Sequence, residues 1–149
     1  LALGAKGVWM GTAFIFAKEA FGDFLDLDQD EQGLIPLDEW LVTKWVEAAV
    51  AAGEDETKVH GLISGKTARI LKNSLLDNWD KRGRKTLPFP LQNVLMIDLF
   101  EGIRRARVEN AVPFSMGQIA GMFDHQRTAK EIVDDIISGA SDILGNGKP

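Results

Sequence analysis

Gly7-Val8-Trp9-Met10-Gly11-Thr12 is an apolar, strand-like run that ends in Gly-Thr only a few residues into the chain. It predicts a short strand over 7–10 that delivers Gly11 and the Thr12 hydroxyl to a helix over 13–20. The first N–H groups of a helix have no helical acceptor, so a strand-Gly-Thr junction of this kind is an anion site suited to a phosphate. Upstream, Leu1-Ala2-Leu3-Gly4-Ala5 reads as the last turn and glycine stop of an earlier helix. The chain opens on Leu1 rather than Met, and the reading expects it to be the later part of a longer polypeptide.

The 149 residues are enough to bury about two-thirds of the unfolded surface in one core. With 17 basic against 22 acidic residues the net charge is −5, which offers no general attraction to nucleic acid or anionic membranes. There is no Cys, so disulfides, thiolate catalysis and cysteine-ligated zinc are excluded. No apolar stretch reaches the ~20 residues of a membrane span and no leader pattern is present. The expectation is a folded cytoplasmic chain with neither nucleic acid nor membrane as a partner.

Segment 23–37 is acidic and contains Gly33 and Pro36, which reads as a loop or insertion. Leu41, Trp45, Ala48, Ala49 and Ala52 then share one helical face, and Gly53 stops that helix. Trp45 reads as core packing. Segment 59–71 suits a short hairpin around Ser64-Gly65, and 73–84, in whose last part the basic run Lys81, Arg82, Arg84 and Lys85 begins, reads as a solvated polar loop in preference to a phosphate or nucleotide clamp. Leu87-Pro88-Phe89-Pro90-Leu91 is a stiff approach to a helix on which Leu91, Leu95, Asp98, Leu99, Gly102, Ile103 and Ala106 keep helical spacing and whose end carries Arg104, Arg105 and Arg107. Phe114 to Gly121 holds two glycines around Gln118, which points to close backbone approach. Thr128 and Glu131 form a capping box, with Ala129, Ile132, Val133, Ile136, Ile137 and Ala140 as the expected buried stripe.

Four places are candidates for chemistry. Asp26, Asp28, Asp30, Gly33 and Glu39 resemble a calcium loop, but Gly33 falls at position 8 and Glu39 at position 14 where an EF-hand needs 6 and 12, so an acidic solvated insertion is the simpler reading. His60 and His125 have no sequence neighbours that make a triad or metal set, and both read as surface or helix-end residues. Gln118 can offer donor and acceptor together to a cofactor edge or substrate oxygen. Thr12 is the stronger candidate, although a strand-Gly-Thr turn also serves as a simple cap.

Four motifs occur in order: Leu3 to Thr12, Ser64 to Asn73, Pro88 to Gln92 and Met116 to Gly121. On these the chain resembles the C-terminal portion of the nitronate monooxygenase (2-nitropropane dioxygenase) family, relatives of the flavin-dependent enoyl reductases. The resemblance implies an α/β fold, the last part of a (β/α)8 TIM barrel with a smaller, mostly helical α+β cap. It divides the chain into 1–20 as the end of the FMN-binding barrel, 21–112 as the cap and 113–149 as the return to the barrel. It makes Trp9, Met10, Gly11 and Thr12 the border of the FMN phosphate, with Gln118 facing the flavin pocket. The family often has Gln where this chain has Trp9, which favours a backbone contact there.

The implied activity is oxidation of an alkyl nitronate by FMN with oxygen as acceptor, the small-molecule substrate being unspecified. Its catalytic His would lie upstream, so this stretch alone is expected to be inactive and to need the missing N-terminal part of the barrel as its partner. An enoyl reductase on the same scaffold, a small helical calcium-binding or interaction module, and a structural subunit docking through its Trp-bearing helix are the alternatives. Exposure of Val8, Ile132 and Ile136 would make the chain a homo-oligomer.

Overall fold

The computed structural model of the chain describes residues 4–21 and 38–146. Its organising element is a hairpin of β1 (Thr57–His60) and β2 (Ala68–Leu71), antiparallel with Thr57 opposite Leu71 and His60 opposite Ala68. Two strands alone are marginal in water. Here residues 114–116 run beside β2: the Leu71 N–H donates to the Phe114 carbonyl at 2.9 Å and the Met116 N–H to the Arg69 carbonyl at 3.0 Å. Ile70, Phe114 and Met116 are buried in the main core.

Around this ladder pack α2 (Glu39–Ala51), α3 (Ser74–Lys81) and α4 (Leu91–Arg105). The Asp38 carboxylate caps α2 by accepting from the Leu41 N–H at 2.8 Å, and the backbone turns extended at Ala52, next to the expected stop at Gly53. The polar stretch from Asn73 is a helix, not the expected loop. Asn73 accepts from the Leu76 N–H at 2.9 Å, and Leu76 is buried while Leu75 and Trp79 pack against the same core. A cap and one short apolar stripe suffice for two turns. The basic run after it is exposed, as expected.

α4 starts beyond Pro90 as its sequence requires, but its buried stripe is Gln92, Met96, Phe100 and Ile103. Leu91, Leu95 and Leu99, equally well spaced, are exposed. Gln92 explains the choice: its amide accepts from the Leu87 N–H and donates to the Leu62 carbonyl, each at 2.9 Å, so a polar side chain sits fully buried without an orphaned group.

At the other end, α1 (Thr12–Ile15) meets α5 (Ala129–Asn146) through Ala13, Ala17 and Ile132, a second small core. The first helix is one turn long instead of spanning 13–20, because Phe16 and Lys18 bond to Arg127 and Ala17 bridges to it instead of continuing the helix. The Thr128–Glu131 capping box is formed, with Thr128 N–H to Glu131 Oε2 at 2.7 Å and Glu131 N–H to Thr128 Oγ1 at 3.2 Å. Of its expected stripe Ile132 is fully buried, Ala129, Ile136 and Ala140 are half-buried, and Val133 and Ile137 are exposed. Of the three residues named for self-association, Val8 is exposed, Ile136 half-buried and Ile132 buried. The expected strand over 7–10 does not form, because no neighbouring strand among the described residues offers it a ladder.

A charged network fixes α2 to α4. Arg104 donates to Glu101 through Nε and Nη2 and to Asp38 through Nη1, all at 2.8 Å, while Arg107 reaches Asp38 at 3.0 Å and lies over the Trp40 ring. The hydrogen bond from Arg104 outweighs partial burial and, with Arg105, holds the Glu101 carboxyl down to about 2. Burial would raise Asp38, but the Leu41 N–H and the two arginines outweigh it and leave it below the ordinary carboxylate range.

Two outcomes follow from this packing. Gly65 has φ +86° and an added Cβ would lie 2.3 Å from the Leu87 carbonyl oxygen and 2.8 Å from Phe89 N, so Gly65→Ala is expected to cost more than about 2 kcal/mol in thermal denaturation. Because Glu101 is depressed in the folded state, its contribution is complete above pH ~4.5 and is lost as pH falls toward about 2. Urea midpoints measured across that window should fall in the native chain, and Glu101→Gln should flatten the decline while lowering the midpoint at neutral pH.

Candidate cofactor-contact site

The residues expected at the phosphate converge in part. Thr12, the first residue of α1, accepts at Oγ1 from the Gly117 N–H at 2.8 Å, across 105 positions of sequence. Gln118 follows immediately and opens the short 3-10 turn Gln118–Met122. The two segments singled out for cofactor contact are therefore neighbours. A Cβ on Gly117 would stand 2.9 Å from the Thr12 oxygen, and one on Gly121 2.9 Å from Glu54 N, so both glycines serve close approach as the sequence anticipated.

The junction keeps donors available. The N–H groups of Gly11 and Thr12 have no acceptor among the described residues, Ala13 beyond them is buried, and the Thr12 hydroxyl hydrogen is uncommitted while its oxygen accepts. Gly11 and Gln118 are exposed, Met10 and Thr12 half-buried, and Trp9 is 99% exposed. The Trp9 indole contributes no packing here, so only its backbone is positioned for a role. Val8, Trp9, Ile119 and Met122 are large apolar residues exposed in the same two segments.

The histidines differ from their sequence reading. His60, on β1, is largely covered and its Nε2 lies 3.3 Å from Asp80, which also accepts from Lys58 at 2.6 Å; chiefly through that lysine, Asp80 is held below the ordinary carboxylate range. Twenty positions separate His60 from Asp80, and only the packing of α3 on the hairpin joins them. His125 is exposed and pairs with adjacent Asp124. Neither histidine reaches Thr12 or Gln118 through a hydrogen bond or ion pair among the described residues. The proposed calcium loop falls outside them apart from Asp38 and Glu39, and no group of three metal-ligating side chains occurs among those described. No helix among them is long and apolar enough to cross a membrane.

A partly open apolar pocket lies elsewhere. Between α2, α4 and residues 112–115 lies a cavity of about 240 Å³, lined among others by Trp45, Phe100 and Phe114, with neither Thr12 nor Gln118 in its wall. Trp45, read from sequence as core, stacks on Phe114 with ring centroids 5.6 Å apart.

Beside this geometry stand the likenesses of the chain to known proteins. No family model matches the chain. A Mycobacterium tuberculosis protein provisionally named a monooxygenase is 28% identical over 152 aligned positions, covering 97% of this chain and 36% of the relative. A Bacillus subtilis protein provisionally named nitronate monooxygenase is 30% identical over 95 positions, covering 64% of this chain and 22% of the relative. FabK from Thermotoga maritima superposes with a TM-score of 0.62 at 23% identity, over 97% of this chain and 40% of FabK, and a point mutant of it with 0.57 at 24%, over 97% and 36%. The fold is thus that of a segment of FabK. The chain is similar in sequence to proteins named monooxygenase and nitronate monooxygenase, and spans 36% of the length of the M. tuberculosis relative and 22% of the B. subtilis one.

The Thr12–Gly117 contact is directly testable. Gly117→Ala should push the two segments apart and cost about 1–3 kcal/mol in chemical denaturation, since it adds a clash and strips a half-buried N–H of its acceptor. An unchanged midpoint would show that the contact does not hold the corner together.

Proposed function

We propose that the chain is part of an FMN-dependent oxidoreductase that oxidises alkyl nitronates with molecular oxygen, and that it supplies one rim of the flavin phosphate site. The observation that carries the reading is the Thr12 Oγ1 to Gly117 N–H bond, which joins two segments chosen independently for cofactor contact in a chain whose relatives are named monooxygenases.

The residues fit such a group as one side of a cradle. The N–H groups of Gly11 and Thr12 have no acceptor among the described residues and would be free to meet a phosphate, and the Thr12 hydroxyl, oriented by Gly117, has its hydrogen to give. Trp9 and Met10 would border the group through their backbone, and Gln118 would offer its amide to a polar edge of the cofactor. When bound, flavin supplies the redox chemistry, while protein supplies position and electrostatics. In this reading residues 1–20 and 113–149 belong to a barrel whose remaining strands come from further polypeptide, and 21–112 form the cap. Such a barrel would supply residues 7–10 with the neighbours they lack here. The partner is accordingly the remainder of the barrel, with a homo-oligomer as a further arrangement and the cytoplasm as the setting. The FabK likeness favours one sibling reading, an enoyl reductase on the same scaffold.

The test uses the protein that carries this sequence. Thr12→Val should lower the flavin retained per protein after extensive desalting by about tenfold, the scale of one hydrogen bond to a charged group, while Thr12→Ser should restore it. Equal flavin content in a folded Thr12→Val protein would remove Thr12 from the phosphate site. Absence of any flavin released on denaturing the native protein would sink the flavoenzyme reading itself. Turnover of a nitronate against an enoyl thioester separates the two siblings.

A further inference from the structure

The net charge of −5 conceals a segregated surface. Residues 61–97 hold seven Lys or Arg against two Asp, whereas the rest of the chain holds ten basic against twenty acidic residues. Of the seven cations, Lys66, Lys81, Arg82, Arg84 and Lys85 are exposed, and none of these five makes an ion pair among the described residues. Asp80 is taken by Lys58 and His60, and Asp77 lies one turn before Lys81 on α3. The basic run read from sequence as a solvated stretch therefore belongs to a concentrated positive corner.

That corner is not only charged. The chain after Lys85 lies along the connection between β1 and β2: a Cβ on Gly61 would stand 3.0 Å from the Thr86 hydroxyl oxygen, and Gly65 passes against Leu87 and Phe89. Lys66 follows, and its Nζ stands 4.3 Å from the centre of the Phe89 ring. The packing thus brings Lys66 to the same stretch as Arg84 and Lys85, next to Leu87, Phe89 and Leu91, which are 43%, 52% and 56% exposed. Leu95, one turn further along α4, is exposed as well. Single exposed apolar side chains are ordinary, but a group of them rimmed by charge marks a contact surface.

We propose that this corner, residues 81–91 together with Lys66, is a docking surface for a short acidic segment of a partner protein that carries apolar side chains among its carboxylates. The five unpaired cations select the sign of the partner, and Leu87, Phe89 and Leu91 select its apolar content. The twenty acidic residues outside 61–97 select its size. Charges are screened beyond about 8 Å at physiological salt, so a slender segment meets only the positive corner. An anionic membrane or a long nucleic acid reaches over the acidic remainder and is repelled there. The surface shares no residue with the proposed phosphate site and stands independently of the flavin assignment.

The probe is a short peptide of alternating Glu-Glu and Leu-Leu pairs carrying a neutral dye, compared with one version in which Gln replaces Glu and another in which Ser replaces Leu. Fluorescence anisotropy on the protein that carries this sequence should show saturable binding of the acidic peptide that weakens as salt rises, with each control bound about tenfold more weakly. Arg84→Ser combined with Lys85→Ser should weaken the acidic peptide by about tenfold and flatten its salt dependence, whereas Phe89→Ser should weaken it by about threefold and keep the salt dependence. These side chains are exposed, so the variants should retain the native thermal midpoint. They should also retain the native flavin content, which keeps failure here distinct from failure of the flavoenzyme reading. Absence of saturable binding at about 0.1 mM protein would overturn the proposal. So would equal binding of the Gln version, binding indifferent to the Arg84 and Lys85 replacements, or tighter binding of phosphatidylglycerol vesicles or a DNA oligonucleotide than of the peptide.

Discussion

The ladder between β2 and residues 114–116 is the constraint from which the rest of this structure takes its shape. A strand alternates its side chains, and Phe114 and Met116 go into the core while Ser115 faces out. That alternation completes a hairpin too small to stand on two strands, and it fixes where the chain goes next. One residue beyond Met116, the Gly117 N–H meets Thr12, and the following turn crosses the end of α2, where Gly121 passes against Gly53 and Glu54. A slip of one residue would exchange Ser115 for the two large apolar side chains, so the register is strongly specified. The position of the proposed cofactor corner is therefore set by core packing two residues away.

What the sequence disclosed follows from how local each signal is. The Thr128–Glu131 box and the face shared by Leu41, Trp45 and Ala49 each lie within one element, and each forms where expected; the hairpin forms too, but its strands are 57–60 and 68–71, and Ser64-Gly65 sits inside a seven-residue connection rather than a tight turn. α3 was concealed because eight residues give only one short apolar stripe, and the surrounding charges masked it, although the Asn73 to Leu76 spacing was a usable cap signal. α4 is apolar nearly all round, so periodicity could not choose between Leu91-Leu95-Leu99 and Gln92-Met96-Phe100. The choice rests on Leu62 and Leu87, which lie outside the helix and satisfy Gln92. Residues 7–10 have strand composition without strand structure, because a strand is a property of its neighbours as much as of itself.

The candidate site divides the same way. Gly11-Thr12 and Gly117-Gln118 were legible as residue types at plausible junctions, whereas their contact across the chain was not. The close approach inferred from two glycines was right in kind, and its partners, Thr12 and the backbone of 53–54, could be named only from coordinates. His60 shows the converse. Isolated in sequence, it is placed beside Asp80 by the packing of α3, a helix the sequence reading had not formed.

The charges around Arg104 connect these levels. Asp38 caps the start of α2 and at the same time accepts from Arg104 and Arg107 near the end of α4, so one carboxylate sets the relation of two helices that wall the cavity. A carboxylate at a helix start and guanidinium groups at a helix end are each favoured by the helix they sit on, and here those preferences are met by the same ion pair. Glu101 takes the remaining guanidinium edge. Three guanidinium groups, of Arg104, Arg105 and Arg107, thus share two carboxylates, and Arg104, the most covered of the three, is the one that meets both. Without Glu101, Arg104 would keep only Asp38, which Arg107 already shares, so the end of α4 would lose the contact that fixes the guanidinium plane against α2.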